Sequence, residues 1–446
     1  MRFQFCEQQP FDYDEYFSRA VTFLHKYKWI FCTNNTQFIR KGIIDSIPPD
    51  WVVDLGSASN DEFNRIPLGF VKDSWSCSFQ EFLSELKRLS VEYAQHDCVT
   101  PKARKGISIK KCYELENLTS FIDDVRPGHE SELLIDFGCG LGHLSQYVHE
   151  RSGRHVLGIE GNGQLVQTAH KRQNELYPSS KQAVQYVNHF ITDDSADVLQ
   201  REVAARFPDC RQVSITGLHA CADLSISAIR CFLRCAWVQQ LIIMPCCYHK
   251  MEPQVAPNVS QFRNVPLSEA LAGVLANGEA DIVCRSFLRL GCQQTASRWK
   301  DLTIGDHLRH GRIMFRRGLI DAALSDGESV MVGKLRQVPD QTTVDNLLEQ
   351  FTLDSAADSN AGWTEAHRVK LSSLITKYPD GHRLSEYLEC LQTCLQSVCE
   401  NVILLDRMCY MEQESKRCGV KIVRKLVRLK NDGLSPRCFI FYASKV

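Results

Sequence analysis

Apolar residues recur at helical spacing in two early stretches, Tyr13 to Tyr27 and Phe79 to Tyr93. The second carries Phe79, Phe82, Leu83, Leu86, Leu89 and Tyr93 on one face. The spacing predicts helices there, separated by a Pro- and Asn-bearing stretch from Ile47 to Arg65. A third helix is predicted from Glu114 to Val125, ended by Arg126-Pro127-Gly128. The pattern then changes to short apolar runs alternating with helical stretches. The runs are Leu133 to Phe137, His155 to Glu160, Val184 to Ile191, Val213 to Leu218 and Gln240 to Cys246. This alternation predicts a parallel α/β sheet wound with helices. Residues 251 to about 410 read as mostly helical, with a polar loop near Asp354 to Gly362. At the end, Val420 to Leu429 alternates apolar and basic residues, Asn431-Asp432-Gly433 signals a turn, and Cys438 to Ala443 is aromatic and β-rich. A terminal β-hairpin follows from that pattern.

These elements predict a Rossmann-like α/β fold in a discontinuous arrangement. A helical N-terminal region spans 1–105 and the core 106–250. A mainly helical insertion covers 251–385, and 386–446 supplies a last helix and the hairpin that completes the sheet. No internal repeat is visible.

Composition changes this picture little. A chain of 446 residues can bury a large core and hold two or three domains. Lys+Arg total 52 against 53 Asp+Glu, so no global basic field advertises nucleic acid. The 20 cysteines are scattered, and Cys231, Cys235, Cys390, Cys394 and Cys399 sit in apolar runs, where a thiol packs as a small hydrophobe. The opening residues lack an apolar signal region, and no uncharged run approaches the ~18 residues of a membrane span. The expectation is a soluble protein of a reducing compartment, cytoplasmic or nuclear, with thiols rather than disulfides. Composition does not set the oligomeric state.

The chemistry begins at Asp136-Phe-Gly138-Cys-Gly140-Leu-Gly142-His143, an acid and three alternate glycines where the first strand meets a helix. Glycines there let backbone approach a nucleotide closely. A dinucleotide fingerprint would place glycine at position 143, which is histidine. Asp136, Gly138, Gly140 and Gly142 instead fit S-adenosylmethionine (AdoMet), with the acid helping to hold its amino-acid end. Glu160 closes the second strand, where a carboxylate can accept from both ribose hydroxyls. Asp193 or Asp194, after the third strand, is placed to accept from the adenine amino group.

Two further strand ends open on the same edge: Leu218-His219-Ala-Cys221-Ala-Asp223 and Pro245-Cys246-Cys247-Tyr-His249. His219, Asp223 or His249 could deprotonate or orient a methyl acceptor. Cys246 could supply a thiolate for attack on a pyrimidine ring. Zinc binding by Cys246, Cys247, His249 and Cys221 is a third possibility, but Cys-Cys-x-His lacks the usual two-residue gap between cysteine ligands, and no metal is assigned. Adenine-N6 chemistry is disfavoured, because His219-Ala-Cys-Ala does not match an Asp/Asn-Pro-Pro-aromatic loop.

Further motifs are Gly106-Ile-Ser-Ile-Lys-Lys-Cys-Tyr-Glu114, Met244-Pro-Cys-Cys-Tyr-His-Lys-Met251, Val265-Pro-Leu-Ser268 and Leu434-Ser-Pro-Arg437. With the glycine turn and Leu218 to Ser225, they make the sequence resemble the methyltransferase-like protein 25 family. The branch it resembles most is 25B, also called ribosomal RNA adenine dimethylase domain-containing protein. The resemblance implies an AdoMet-dependent methyltransferase, distantly similar to tRNA 2′-O-methyltransferases that carry Cys-Cys-His-His at the matching strand. That favours an orienting or structural role for the cysteines. Ala222 stands where the family tends to have glycine, and Leu141 where a polar residue is common. Basic clusters at Lys102 to Lys111, Arg309 to Arg317 and Lys416 to Lys430 could follow a phosphate backbone. RNA is therefore the first expectation for the acceptor and protein the second. A binding protein that has lost catalysis is the alternative from another class.

Overall fold

The computed structural model describes residues 3–6, 9–104, 106–125, 132–254, 262–276, 280–333, 338–354 and 362–446. The expected helix stop at Arg126-Pro127-Gly128, Lys105 of the first basic cluster and most of the polar loop near Asp354 lie outside these residues. The strands are β1 (Phe3–Phe5), β2 (Val91–His96), β3 (Glu132–Phe137), β4 (His155–Glu160), β5 (Val184–Asn188), β6 (Gln212–Cys221), β7 (Val238–Cys246), β8 (Ser329–Val332), β9 (Phe351–Asp354), β10 (Ile422–Leu429) and β11 (Phe439–Lys445).

The chain divides into two units. The first takes Met1–Thr22, Leu89–Thr295 and Val398–Val446, and the second Phe23–Arg88 and Ala296–Ser397. The first unit is a mixed α/β fold built on a sheet of order β1-β2-β10-β11-β7-β6-β3-β4-β5. Strands β3 to β7 run parallel, and β11 lies antiparallel to both β7 and β10. This is the Rossmann-like sheet with a terminal hairpin that the hydrophobic pattern predicts. Every residue of β3 is buried, as a central strand covered on both faces requires. Helices Ile109–Asp124, His143–Ser152, Gly163–Leu176, Ala196–Arg206 and Leu224–Arg234 separate the parallel strands. The carboxyl ends of β3, β4, β6 and β7 therefore share one edge, where such sheets bind ligands.

Some boundaries differ from the expectation. The helix read over Phe79 to Tyr93 ends at Arg88, and Val91–His96 is β2, paired parallel to β1 and β10. A short strand following a helix continues its apolar count by chance, and only long-range pairing separates the two. The N-terminal stretch read as helical thus contributes two strands to the sheet. Strand β6 runs on to Cys221, and β5 stops at Asn188. The helix read from Glu114 starts earlier, at Ile109, where the Ser108 hydroxyl accepts from Lys111 N at 3.3 Å.

The second unit is largely helical and holds the antiparallel strand pair β8–β9. Its helix Ile304–Ala323 begins with a Thr303/Asp306 capping box. Within this unit Arg316 is wholly buried and donates to Gln350 Oε1, Asn346 Oδ1 and Asn346 O, each at 2.7 Å. The helix Gly381–Arg417 belongs to the second unit up to Ser397 and to the first from Val398 on. No helix among the described residues is long and apolar enough to cross a membrane.

Candidate active site

The glycine turn is built by close approach of β3 to β4. Gly138 N and Cys139 N both donate to Ile159 O, at 2.9 and 3.1 Å. Gly138, Gly140 and Gly142 all have positive φ. At Gly142 the requirement is doubled, because a Cβ there would lie 2.2 Å from the Tyr186 hydroxyl oxygen. The turn delivers the chain into the helix His143–Ser152.

The acids predicted for the cofactor take different positions. Asp136 is only 1% exposed and accepts from the Ser145 hydroxyl at 2.7 Å, pinning the new helix to the strand. Burial pushes its carboxyl up to about 7. Glu160 lies half-buried at the end of β4. Its two oxygens accept from Gly140 N at 3.0 Å and from Asn162 N at 2.9 Å, so it tethers the glycine turn to the next one. Asp193 accepts from Ser227 Oγ at 3.0 Å and pairs with Arg230 at 2.6 Å. Asp194 is exposed.

A cleft of about 1530 Å³ opens along this edge. Gly138, Glu160, Asp193, Asp194, His219 and Asp223 all line it. Asp136, Gly140 and Gly142 stand behind it as the structure of the turn. Cys246 and His249 are not on its wall either. His249 turns its Nδ1 to Cys292 Sγ at 3.2 Å. Although Asp223 lines the cleft, its carboxylate accepts from Asn264 Nδ2 at 2.7 Å and Glu252 N at 2.8 Å, tying down the segment after β7.

Sequence reading missed four contributors. Phe190, 75% exposed, stands on the cleft wall just beyond β5. A lone aromatic after a strand carries no sequence signal of its own. The other three are Glu114, Arg437 and Lys111, of which only Lys111 carries a role suggested by sequence, as part of a basic cluster. Glu114, 2% exposed, accepts from Ser435 Oγ at 2.6 Å and pairs with Arg437 Nη1 at 3.4 Å. Its other oxygen lies 3.4 Å from His219 Nε2. The His219 ring is pushed down to about 3 by burial and by the charges of Lys111 and Arg437, so it is neutral at physiological pH. With Nε2 facing a carboxylate, the favoured tautomer carries its proton there. His219 Nδ1 is buried and has no hydrogen-bond partner among the described residues, so it is left as an acceptor. Lys111 lies within the field of Glu114 and Asp136, and burial holds its amine below the usual range.

The thiols gather behind His219. Cys221 and Cys246 are direct cross-strand partners on parallel β6 and β7, and their sulfurs lie 3.1 Å apart. Cys247 takes a left-handed φ of 52°, which folds its own sulfur back to the pair. Hydrogen bonds from Cys221 and Cys246 hold the Cys247 thiol well below its usual range, with Arg437 Nη2 3.9 Å away adding to the effect. The Cys221 hydrogen bond pushes Cys246 up instead. Ala222 is also left-handed, with φ 50°, a conformation that glycine adopts without strain. That accounts for the glycine the resemblance leads one to expect at this position. The Tyr248 ring is buried under the Arg407 guanidinium at 4.8 Å, which fixes the 246–250 turn.

Of the basic clusters read from sequence, the one at Lys416 to Lys430 is largely paired with acids, and each of the other two holds an ion-paired member. Lys416 and Arg424 pair with Glu412, Arg417 with Glu414 and Glu269, Arg428 with Asp432, and Lys430 with Asp97. Arg104 pairs with Glu150, and Arg312 with Asp340.

Residues 110–254 match a family described as a methyltransferase domain. This segment holds the glycine turn, Glu160 and the two Cys-bearing strand ends. Solved structures are similar at a distance. Coclaurine N-methyltransferase bound to N-methylheliamine and SAH is 11% identical, over 92% of this chain and 99% of that one, at a TM-score of 0.26. The 23S rRNA methyltransferase ErmE is 13% identical, over 33% and 48%, at 0.23. A putative sarcosine dimethylglycine methyltransferase from Galdieria sulphuraria is 10% identical, over 78% and 90%, at 0.24. The chain thus spans about half the length of ErmE.

Proposed function

We propose that this methyltransferase domain binds AdoMet along the β3–β4 edge and transfers its methyl group to an RNA acceptor. The observation that carries the cofactor reading is Glu160. It ends β4 beside the glycine turn, lines the cleft and keeps lone pairs free for the ribose hydroxyls. Asp194 then accepts from the adenine amino group, and Phe190 offers its exposed ring to the adenine face. Asp136 supports the turn from behind. When bound, AdoMet supplies an activated methyl group that an acceptor nucleophile can displace from sulfur. His219, neutral and held by Glu114, orients that nucleophile.

For the acceptor, the support is the size of the cleft and four cations on its wall, Arg230, Lys250, Arg263 and Arg285, of which Arg230 pairs with Asp193 and Arg263 with Glu252. The ion-paired cluster at Lys416 to Lys430 lends little. Membership in the 25B branch belongs to the same proposal and rests on the Cys-Cys-Tyr-His and Leu-Ser-Pro-Arg motifs. The test incubates the protein with methyl-labelled AdoMet and an extract from cells that lack it. Label that survives protease and is lost to ribonuclease is expected. Label lost to protease alone would make the acceptor a protein, and no label at all would favour a binding protein without turnover.

A further inference from the structure

We infer that Cys221, Cys246 and Cys247 form a binding site for one thiophilic metal ion of the zinc type. Their three sulfurs lie within 4.8 Å of one another, and no other such group of metal-ligating side chains occurs among the described residues. Zinc–sulfur bonds of about 2.3 Å put tetrahedral sulfurs roughly 3.8 Å apart. The observed separations, from 3.1 Å to under 4.8 Å, bracket that spacing.

The sequence offers zinc here only as one alternative, with His249 among the donors; in the structure His249 turns to Cys292, and the three thiols gather without the usual two-residue gap. One comes from the end of β6, one from the end of β7, and the third from a left-handed residue just beyond β7. Parallel pairing of Cys221 with Cys246 does the work that the gap does in a zinc knuckle. Every scaffold element is anchored: Ala222 N donates to Cys246 O at 2.9 Å, and Arg407 lies over Tyr248.

Charge fits as well. A divalent ion on three thiolates carries net charge −1, and Arg437 lies 3.9 Å from Cys247 Sγ as a counter-charge and N–H donor to sulfur. Soft thiolates select zinc-type ions over magnesium or calcium. Three protein ligands leave a fourth position open, as in sites that take water or a substrate atom. Cys221 lines the cleft, which puts that position within the acceptor's neighbourhood.

The test is elemental analysis of the full chain, expressed with zinc available and purified under a non-chelating reductant, followed by cobalt titration of the stripped protein. We expect about one equivalent of zinc, and a sulfur-to-cobalt charge-transfer band that saturates at one equivalent. Cys221→Ser and Cys247→Ser should each lose both signals. Cys418→Ser, an exposed thiol elsewhere, should keep them. Because a cluster variant could misfold, AdoMet titration of each variant reports the integrity of the β3–β4 edge separately. A wild-type protein that binds AdoMet but holds no stoichiometric metal and gives no cobalt band overturns the inference. So would full metal content in both cluster variants.

Discussion

Glu114 Oε2 lies 3.4 Å from His219 Nε2, and the carboxylate that holds the imidazole is itself held by Ser435 and Arg437. Three segments distant in sequence thus converge on one ring at the wall of the cleft. The relationship predicts a split in kinetics. His219→Ala should lower kcat by roughly 100-fold, the usual cost of misplacing the reacting group by about an ångström. Glu114→Gln should lower kcat by about tenfold, through the ring's orientation, and leave the AdoMet Kd within a factor of about two. Steady-state kinetics with parallel calorimetry reads both. A Glu114→Gln variant with wild-type kcat would remove the positioning role.

Asp136 predicts a pH-dependent stability. Burial raises its native value to about 7, whereas an unfolded aspartate titrates near 3.9. Between those values the native state binds more protons than the unfolded state, so the unfolding free energy falls as pH rises through the window. Asp136→Asn cannot ionise and should escape that loss. The Tm difference between variant and wild type should therefore shift in favour of the variant from pH 4 to 7, as read by scanning calorimetry. A difference that stays flat across that range would contradict the burial of the ionisable acid.

Phe190 predicts an affinity change without a stability change. Its ring is 75% exposed, so Phe190→Ala should move Tm by less than a degree or so. Base–aromatic stacking is worth about 1–3 kcal/mol, so AdoMet binding should weaken at least about fivefold. Unaltered AdoMet affinity would place the adenine elsewhere.

For Asp223 the expected effect is structural. Asp223→Ala removes acceptors from Asn264 and Glu252 N and should cost about 1–3 kcal/mol of stability. Turnover per folded molecule should stay within a few-fold. Unfolding titrations and kinetics on the soluble fraction decide the matter. A loss of about 100-fold in kcat at unchanged stability would return Asp223 to the chemistry.

The sequence made some of this legible and hid the rest for identifiable reasons. The strands β3, β4 and β7 and the terminal hairpin were readable because buried parallel strands are unbroken apolar runs and the hairpin alternates. Strand β2 was not, because it directly follows a helix and its partners β1 and β10 are far away in sequence. The strand pair β8–β9 was invisible because β8 is mostly exposed and shows no apolar alternation. In the site, Glu160 and the glycines announce themselves by position at strand ends. Glu114 and Arg437 do not, since their role exists only once Ile109–Asp124 and the 434–437 turn meet β6. The basic clusters show the converse: a run of cations says nothing of the acids folded against it, as Glu412 is against Lys416 and Arg424.

The most direct measurement is calorimetric titration of AdoMet into the wild-type protein and the Glu160→Gln variant. The account predicts saturable binding in the micromolar range, weakened about tenfold or more in the variant by loss of a charge-assisted acceptor. No binding to the wild type at high micromolar AdoMet, or equal affinity in both proteins, would contradict it.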